Sequence, residues 1–170
     1  MPRPATGEFP AYTEGYIALV EGNSVTEIVN NHEEELLVFF NNLPEEKAGY
    51  SYAPGKWTIK ELLQHVIDTE RIFSYRALRI ARKDTTPLPG FNEQAYGEHS
   101  LANKRTLAAL KEEFNAVHKA SLLLIQSFNE KQLTQNGTTS NSPITVNTIV
   151  FVIFGHLLHH KKVLEDKYLN

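Results

Sequence analysis

Cysteine is absent from the 170 residues, and methionine and tryptophan occur once each. The first absence excludes the most. It removes disulfides, thiolate zinc sites, iron–sulfur clusters and a cysteine nucleophile together. Any metal held by this chain must be taken by His, Asp or Glu. Positive charge is not in excess either: 17 Lys and Arg stand against 20 Asp and Glu, a formal net charge of −3. That balance leaves no electrostatic footprint for nucleic acid or for an anionic membrane surface. Long apolar runs are missing too. The most apolar stretch, residues 149–154, meets Gly155 and His156, far short of the ~20 residues that cross a bilayer. Residues 1–23 carry Pro2, Pro4 and Pro10 and no apolar signal core. The expectation is a soluble, cytoplasmic protein with one domain over residues 1–170, of which 1–23 form an N-terminal extension.

What is present is helical periodicity. Ser24-Val25-Thr26-Glu27 is a capping-box pattern, followed by a stripe of Val25, Ile28, His32, Leu36, Phe39 and Leu43 that Pro44 stops. Thr58-Ile59-Lys60-Glu61 is a second capping box, with Trp57 placed to pack on Leu62. This second helix should run to about Lys83, and Arg76, Arg79, Arg82 and Lys83 suit the negative end of its dipole. A third helix should follow Ser100, with the stripe Leu107, Leu110, Phe114, Val117, Ser121, Leu124 and Phe128. A fourth should start at Ser142-Pro143, an N-cap with proline at the first helical position, and carry Val146, Ile149, Ile153, His156, His160 and Val163. Residues 11–20 can add a short helix. No segment reads as a strand ladder, and the joints 44–56, 84–99 and 130–141 are polar and rich in Pro, Gly and Asn. The pattern is that of an all-α four-helix bundle. The link 84–99 is long enough to return along a bundle, so the second and third helices can run parallel, in an up-down-down-up order.

His156 and His160 lie on the apolar stripe of the fourth helix, four residues apart, and so share one helix face. That spacing lets one helix offer two imidazoles to one metal. The alternative is a pair of hydrogen-bonded core histidines. The glutamate of a zinc peptidase motif is missing beside His156. A third ligand is needed, and His65 is the best candidate, at the edge of the apolar arc of the second helix. If the second and fourth helices are antiparallel, their histidines fall at similar heights, roughly 10 and 15 Å from the same end. His32 stands singly on its stripe and reads as core. His159 points roughly 60° and 100° away from its neighbours, which suits a supporting or exposed position. His99 and His118 read as solvent-facing. Neutral imidazole suits Zn, Ni, Fe and Cu, and three protein ligands leave coordination sites open. Asp68, about one turn from His65, can orient its imidazole, as can His159 that of its neighbours. Glu61, one turn before His65, either orients the same imidazole or serves only its capping box. Glu70 falls inside the apolar arc and needs a partner on another helix, an arginine, tyrosine or histidine. Arg76 and Arg79 share His65's side of the helix, about 16 Å further along for Arg76. They either compensate the helix dipole or receive a carboxylate of an extended cofactor. Phe91 and Tyr96 place aromatic groups in the long link, for a site mouth or a dimer contact.

The run Trp57-Thr58-Ile59-Lys60-Glu61 with His65, Asp68 and Glu70, the continuation TERIFSYRALRIARKD, PLPGF at 87–91 and the closing HLLHH together resemble the DinB-like superfamily, which includes the YfiT-type bacterial proteins. The resemblance covers most of the chain. It implies a four-helix bundle of up-down-down-up topology with a three-histidine metal site, whose ligands here would be His65, His156 and His160. It also implies chemistry on small molecules: relatives join bacillithiol or mycothiol to electrophiles, or isomerise maleylpyruvate with a thiol. The expectation is a metal-dependent, thiol-dependent S-transferase or a hydrolase, using Zn or Ni and in the first case a low-molecular-weight thiol, with a homodimer plausible and no nucleic-acid partner. The rival is a non-enzymatic bundle with a structural or vestigial metal site. With no cysteine in the chain, any reacting thiol must arrive with the substrate.

Overall fold

The computed structural model describes residues 1–5 and 7–170, and most of them are helical. The four long helices are α2 (Val25–Asn41), α3 (Ile59–Ala81), α5 (Leu107–Gln126) and α7 (Val146–Leu164). Each begins at a hydroxyl cap. The side chains of Ser24, Thr58, Thr106 and Thr145 accept the N–H three residues on, which satisfies one donor that the first helical turn leaves free. At α3 the box closes both ways: the Glu61 carboxylate also accepts the Thr58 N–H at 2.8 Å. After α7 a π-helical segment, Glu165–Leu169, turns Tyr168 inward, and its hydroxyl donates to the Trp57 carbonyl at 2.8 Å.

The helices pack as a bundle around Leu36, Phe40, Leu63, Val66, Phe114 and Phe154, among others. Polar pairs ascend α3 and α5 together: Gln64 with Arg105 just ahead of α5, then Arg71 with Glu113 and Ser74 with Ser121. Pairs between α2 and α5 run the opposite way, Leu43 with Lys111 and Asn41 with Asn115. Trp57, just before α3, meets Tyr168, just after α7, while within the two helices Phe73 meets His156.

Three expectations of local structure need correction. The third long helix starts at Leu107, not just after Ser100; a 3-10 turn, Ala102–Lys104, intervenes, and Thr106 supplies the cap. Ser142-Pro143 does not begin α7. It opens strand β2 (Ser142–Thr145), paired antiparallel with β1 (Asn136–Thr139), and Thr145 caps the helix. Ser140 and Asn141 make the hairpin turn with φ of 50° and 63°, the positive values a two-residue hairpin loop requires. Strands of four residues are too short for alternation to stand out. The long link is also less irregular than expected. It holds α4 (Glu93–His99), and Leu88 joins the hairpin through its N–H to Thr138 and its carbonyl to the Ser140 N–H.

The N-terminal region forms a 3-10 turn, Ala11–Thr13, and a short helix α1 (Glu14–Leu19), within the segment expected to be helical. Short helix α6 (Glu130–Leu133) leads into β1. α1 lies against α7 at Gly155, where a Cβ would come within 2.2 Å of the Tyr16 carbonyl oxygen. Only glycine admits that approach. Gly155→Ala should therefore destabilise the protein by about 1–3 kcal/mol and lower Tm by roughly 3–10 °C. Gly15→Ala, whose Cβ would meet nothing within 4 Å, should be neutral or slightly stabilising. Thermal unfolding of the two variants checks the contrast; equal effects would contradict it.

Candidate metal centre

The capped start of α3 places His65 two turns into that helix, facing α7. There it meets His156 and His160, which are one turn apart on one face. All three are buried, between 5% and 8% exposed. His156 Nε2 lies 3.1 Å from Nε2 of His65 and 3.1 Å from Nε2 of His160. Each histidine offers one donor atom within 4.8 Å of the others, and no further His, Asp or Glu joins the group among the described residues.

Hydrogen bonding alone does not satisfy this arrangement. A neutral imidazole nitrogen carries either one N–H or one in-plane lone pair. His156 Nε2 can therefore serve one of its two neighbours and not both. A cation that accepts a lone pair from each ring removes the conflict. The spacing suits one. With Zn–N bonds of about 2.0–2.1 Å, ligand nitrogens would stand ~3.4 Å apart in a tetrahedral shell and ~2.9 Å in an octahedral one; the 3.1 Å spacing falls between these. The rings are also in the ligating protonation state. Burial, then the nearby His159, lowers the His65 pKa to about 4. Burial drives His156 and His160 well below the ordinary histidine value, with the neighbouring histidines adding to it.

The surroundings are largely aromatic. The Trp57 ring lies over His65 at 4.7 Å, while Tyr16 and Phe73 present edges to His156 at 5.6 and 6.1 Å. Thr69 Oγ1 is 3.5 Å from His65 Nδ1, and His160 Nδ1 is buried without a hydrogen-bond partner. A cavity of about 280 Å³ opens onto His156, walled by Tyr16, Thr69, Phe73 and Arg76 with hairpin and α7 residues. A separate cavity of about 260 Å³ reaches His160, between Trp57, His159 and Tyr168.

The other sequence candidates separate clearly. His159 is half-buried, with its ring edge against His160 and Tyr16. Asp68 accepts from Gln64 Nε2 at 2.9 Å and lies near Arg71, in the polar seam between α3 and α5 and not on His65. Glu70 finds a histidine on another helix, one of the partners its burial called for: His118 Nδ1 lies 2.9 Å from its carboxylate. That pairing corrects the reading of His118 as solvent-facing, since it is 1% exposed. The buried stripe of α5 passes from Phe114 to His118 and Ser121, a 4-3 step, where the sequence had suggested Val117. His32 packs in the core as expected, its Nε2 accepting the Glu21 N–H at 2.9 Å, and His99 is exposed. Glu61 stays in its capping box. Arg76 lines the cavity, whereas Arg79 turns to Asp84 and Tyr75 at the helix end. Phe91 is on the cavity wall; Tyr96 packs on Phe91 at 5.1 Å. Sequence reading missed Tyr16. Its only signal was a tyrosine inside a weak ten-residue pattern, and a tertiary contact at Gly155 brings it to the site. Burial, aided by Glu93, raises the Tyr16 pKa, so the phenol keeps its proton.

A helical bundle in which two helices converge three neutral imidazoles at the end of a cavity defines a class of metal-centre proteins. The chain belongs to the DinB superfamily, whose family model matches residues 29–164. A protein of Oceanobacillus iheyensis named as a candidate metal-dependent hydrolase is 25% identical over 122 residues, covering 71% of this chain and 69% of the relative. Among solved structures, YfiT from Bacillus subtilis, described as a probable metal-dependent hydrolase with an unusual four-helix bundle topology, superposes with a TM-score of 0.68 at 14% identity, over 96% of this chain and 89% of that one. A mycothiol-dependent maleylpyruvate isomerase superposes with a TM-score of 0.64 at 12% identity, over 94% of this chain but 61% of its own. These two likenesses establish the shared fold.

The depressed histidine pKa values set a pH response in the metal-free chain. Unfolded histidines take up protons near pH 6.5 while the folded ones stay neutral, so the unfolded state binds more protons as pH falls. Stability should drop below pH 6.5, by ~1.4 kcal/mol per pH unit for each such histidine. For His65 the loss continues down to about pH 4. Urea unfolding of chelator-treated protein from pH 7.5 to 5 should show this slope; a flat profile would contradict the buried, neutral assignment.

Proposed function

We propose that this protein is a metal-dependent enzyme acting on small molecules, with hydrolysis as the reaction its site supports best. His65, His156 and His160 are the ligands of one divalent ion, Zn or Ni. The observation that carries the reading is the convergence of three buried, neutral imidazoles beside a cavity, with no fourth protein donor in the group among the described residues. Three protein ligands leave room for a reactant, the arrangement of a catalytic site. The up-down-down-up order belongs to this reading and is supported by the polar pairs that ascend α3 and α5 together.

Such an ion polarises a carbonyl or phosphoryl oxygen and lowers the pKa of a water or thiol. The remaining work falls to the chain. Trp57, Phe73 and the α7 residues around the rings keep bulk water from the histidines and hold their rotamers. Thr69 orients His65 through Nδ1. Tyr16, protonated at neutral pH and on the cavity wall, donates a hydrogen bond to negative charge that develops on the substrate.

A second reading, thiol transfer to an electrophile, is favoured by one feature. The separate cavity at His160 provides a second approach to the histidines, as a two-reactant enzyme needs. Under that reading, activity on a model electrophile appears only with an added thiol.

Elemental analysis of protein purified without added metal should find about one equivalent of a transition metal. His65→Ala, His156→Ala and His160→Ala should each lose most of it, together with ester hydrolysis that a chelator also abolishes. Full occupancy in all three variants would overturn the site. Tyr16→Phe should retain metal and lower kcat by roughly 10–1000-fold with KM nearly unchanged. An unaltered kcat would remove Tyr16 from the reaction.

A further inference from the structure

The cavity beside the histidines contains a buried positive charge with no acidic partner among the described residues. Arg76 on α3 is 5% exposed and forms no salt bridge among the described residues. A guanidinium stays charged in proteins, and burying an unpaired charge is costly. Its Nη2 donates to the Pro89 carbonyl at 2.7 Å and lies 3.4 Å from Ser140 Oγ. Phe73 and Phe91 place ring faces 5.8 and 5.9 Å from its central carbon. Dipoles and π faces soften the charge without cancelling it, and Nη1 and Nε donate to no other group among the described residues. A residue needed only to strap the long link down through Pro89 would not require a permanent charge on a cavity wall.

We propose that Arg76 is the receptor for an oxyanion, a carboxylate or phosphate, carried by a small substrate whose reacting group sits at the histidines. This rests on the reading of His65, His156 and His160 as the reaction centre. Phe73 connects the two ends: its ring is 5.8 Å from the Arg76 carbon and 6.1 Å from the His156 ring, so these lie within about 12 Å of each other. Phe73 itself, with Ile144, Ile149 and Val152, gives the cavity wall apolar surface beside the hydroxyls of Tyr16 and Thr69. The substrate class is therefore a compact molecule with one anionic end, an apolar middle and a hydrolysable or electrophilic group at the other end. A planar fork of donors favours bidentate contact with such an anion. Glu93, the carboxylate on the cavity wall, is exposed, where solvent screens it.

Calorimetric titration of the protein as purified tests this with three probes: benzoate, phenyl phosphate and the neutral benzamide. At least one anion should bind tenfold or more tightly than benzamide, and the tighter of the two identifies carboxylate or phosphate as the preferred group. Arg76→Met should remove that tenfold preference. Arg76→Lys, which keeps the charge but not the fork, should reduce it, and this provides a second reading should Arg76→Met unfold. Equal affinities for anion and benzamide, or an undiminished preference in the Arg76 variants, would overturn the proposal. His160→Ala separates the two claims. Anion preference that survives loss of the metal supports Arg76 as the receptor. Preference lost in His160→Ala but kept in Arg76→Met would place the anion on the metal and overturn it. A wild-type protein that shows the Arg76-dependent preference but binds no metal would leave the anion receptor standing while the metal reading falls.

Discussion

Everything at this site depends on bringing three uncharged imidazoles to one buried point. Polar rings placed there without a shared partner are a liability, because a buried donor or acceptor left unpaired costs more than a typical hydrogen bond contributes. Two of the rings come almost free from helix geometry, since residues four apart share a face. The third must be delivered across the bundle at the right height. That height is set by the Thr58–Glu61 capping box, which starts α3, and by the Tyr168 hydroxyl on the Trp57 carbonyl, which ties the end of the chain to the same point. Trp57 in turn lies on His65. Cap, clamp and ligand are thus linked by direct contacts at one end of the bundle.

The bundle supplies the imidazoles, but most of the cavity wall comes from other parts of the chain. Tyr12 and Tyr16 come from the N-terminal segment, Phe91 and Glu93 from the long link, and Thr139, Ser140 and Ile144 from the hairpin. These pieces are tied to one another. Leu88 of the link pairs with the hairpin, Arg76 of α3 grips Pro89, and Gly155 admits Tyr16 against α7. A rigid scaffold with its binding surface on irregular segments lets one fold serve several chemistries. Proteins that share this fold do carry different reaction names.

The legible parts of the sequence were those governed by local rules. Caps at Ser24 and Thr58 and the apolar stripes located the long helices, and the i, i+4 histidines stood out on their stripe because imidazoles there need partners. The strands, the start of the third helix and the burial of His118 were not legible. Four-residue strands leave no periodic trace, and Ser142-Pro143 satisfies the cap rule as well as it satisfies an edge strand. The Phe114–His118–Ser121 and Phe114–Val117–Ser121 paths differ by one residue of phase, and the long-range pairing with Glu70 decides between them. Tyr16 is the most telling omission. Its place depends on the absence of a side chain at Gly155, far away in sequence, and no local pattern records that contact.

The central claim is that a single ion is held by three imidazoles and by no other protein group. X-ray absorption at the edge of the metal found in purified protein measures this directly. The spectrum should show scattering from three imidazoles, with light oxygen or nitrogen donors in the remaining positions. A fourth imidazole, or a metal shell without histidine scattering, would contradict it.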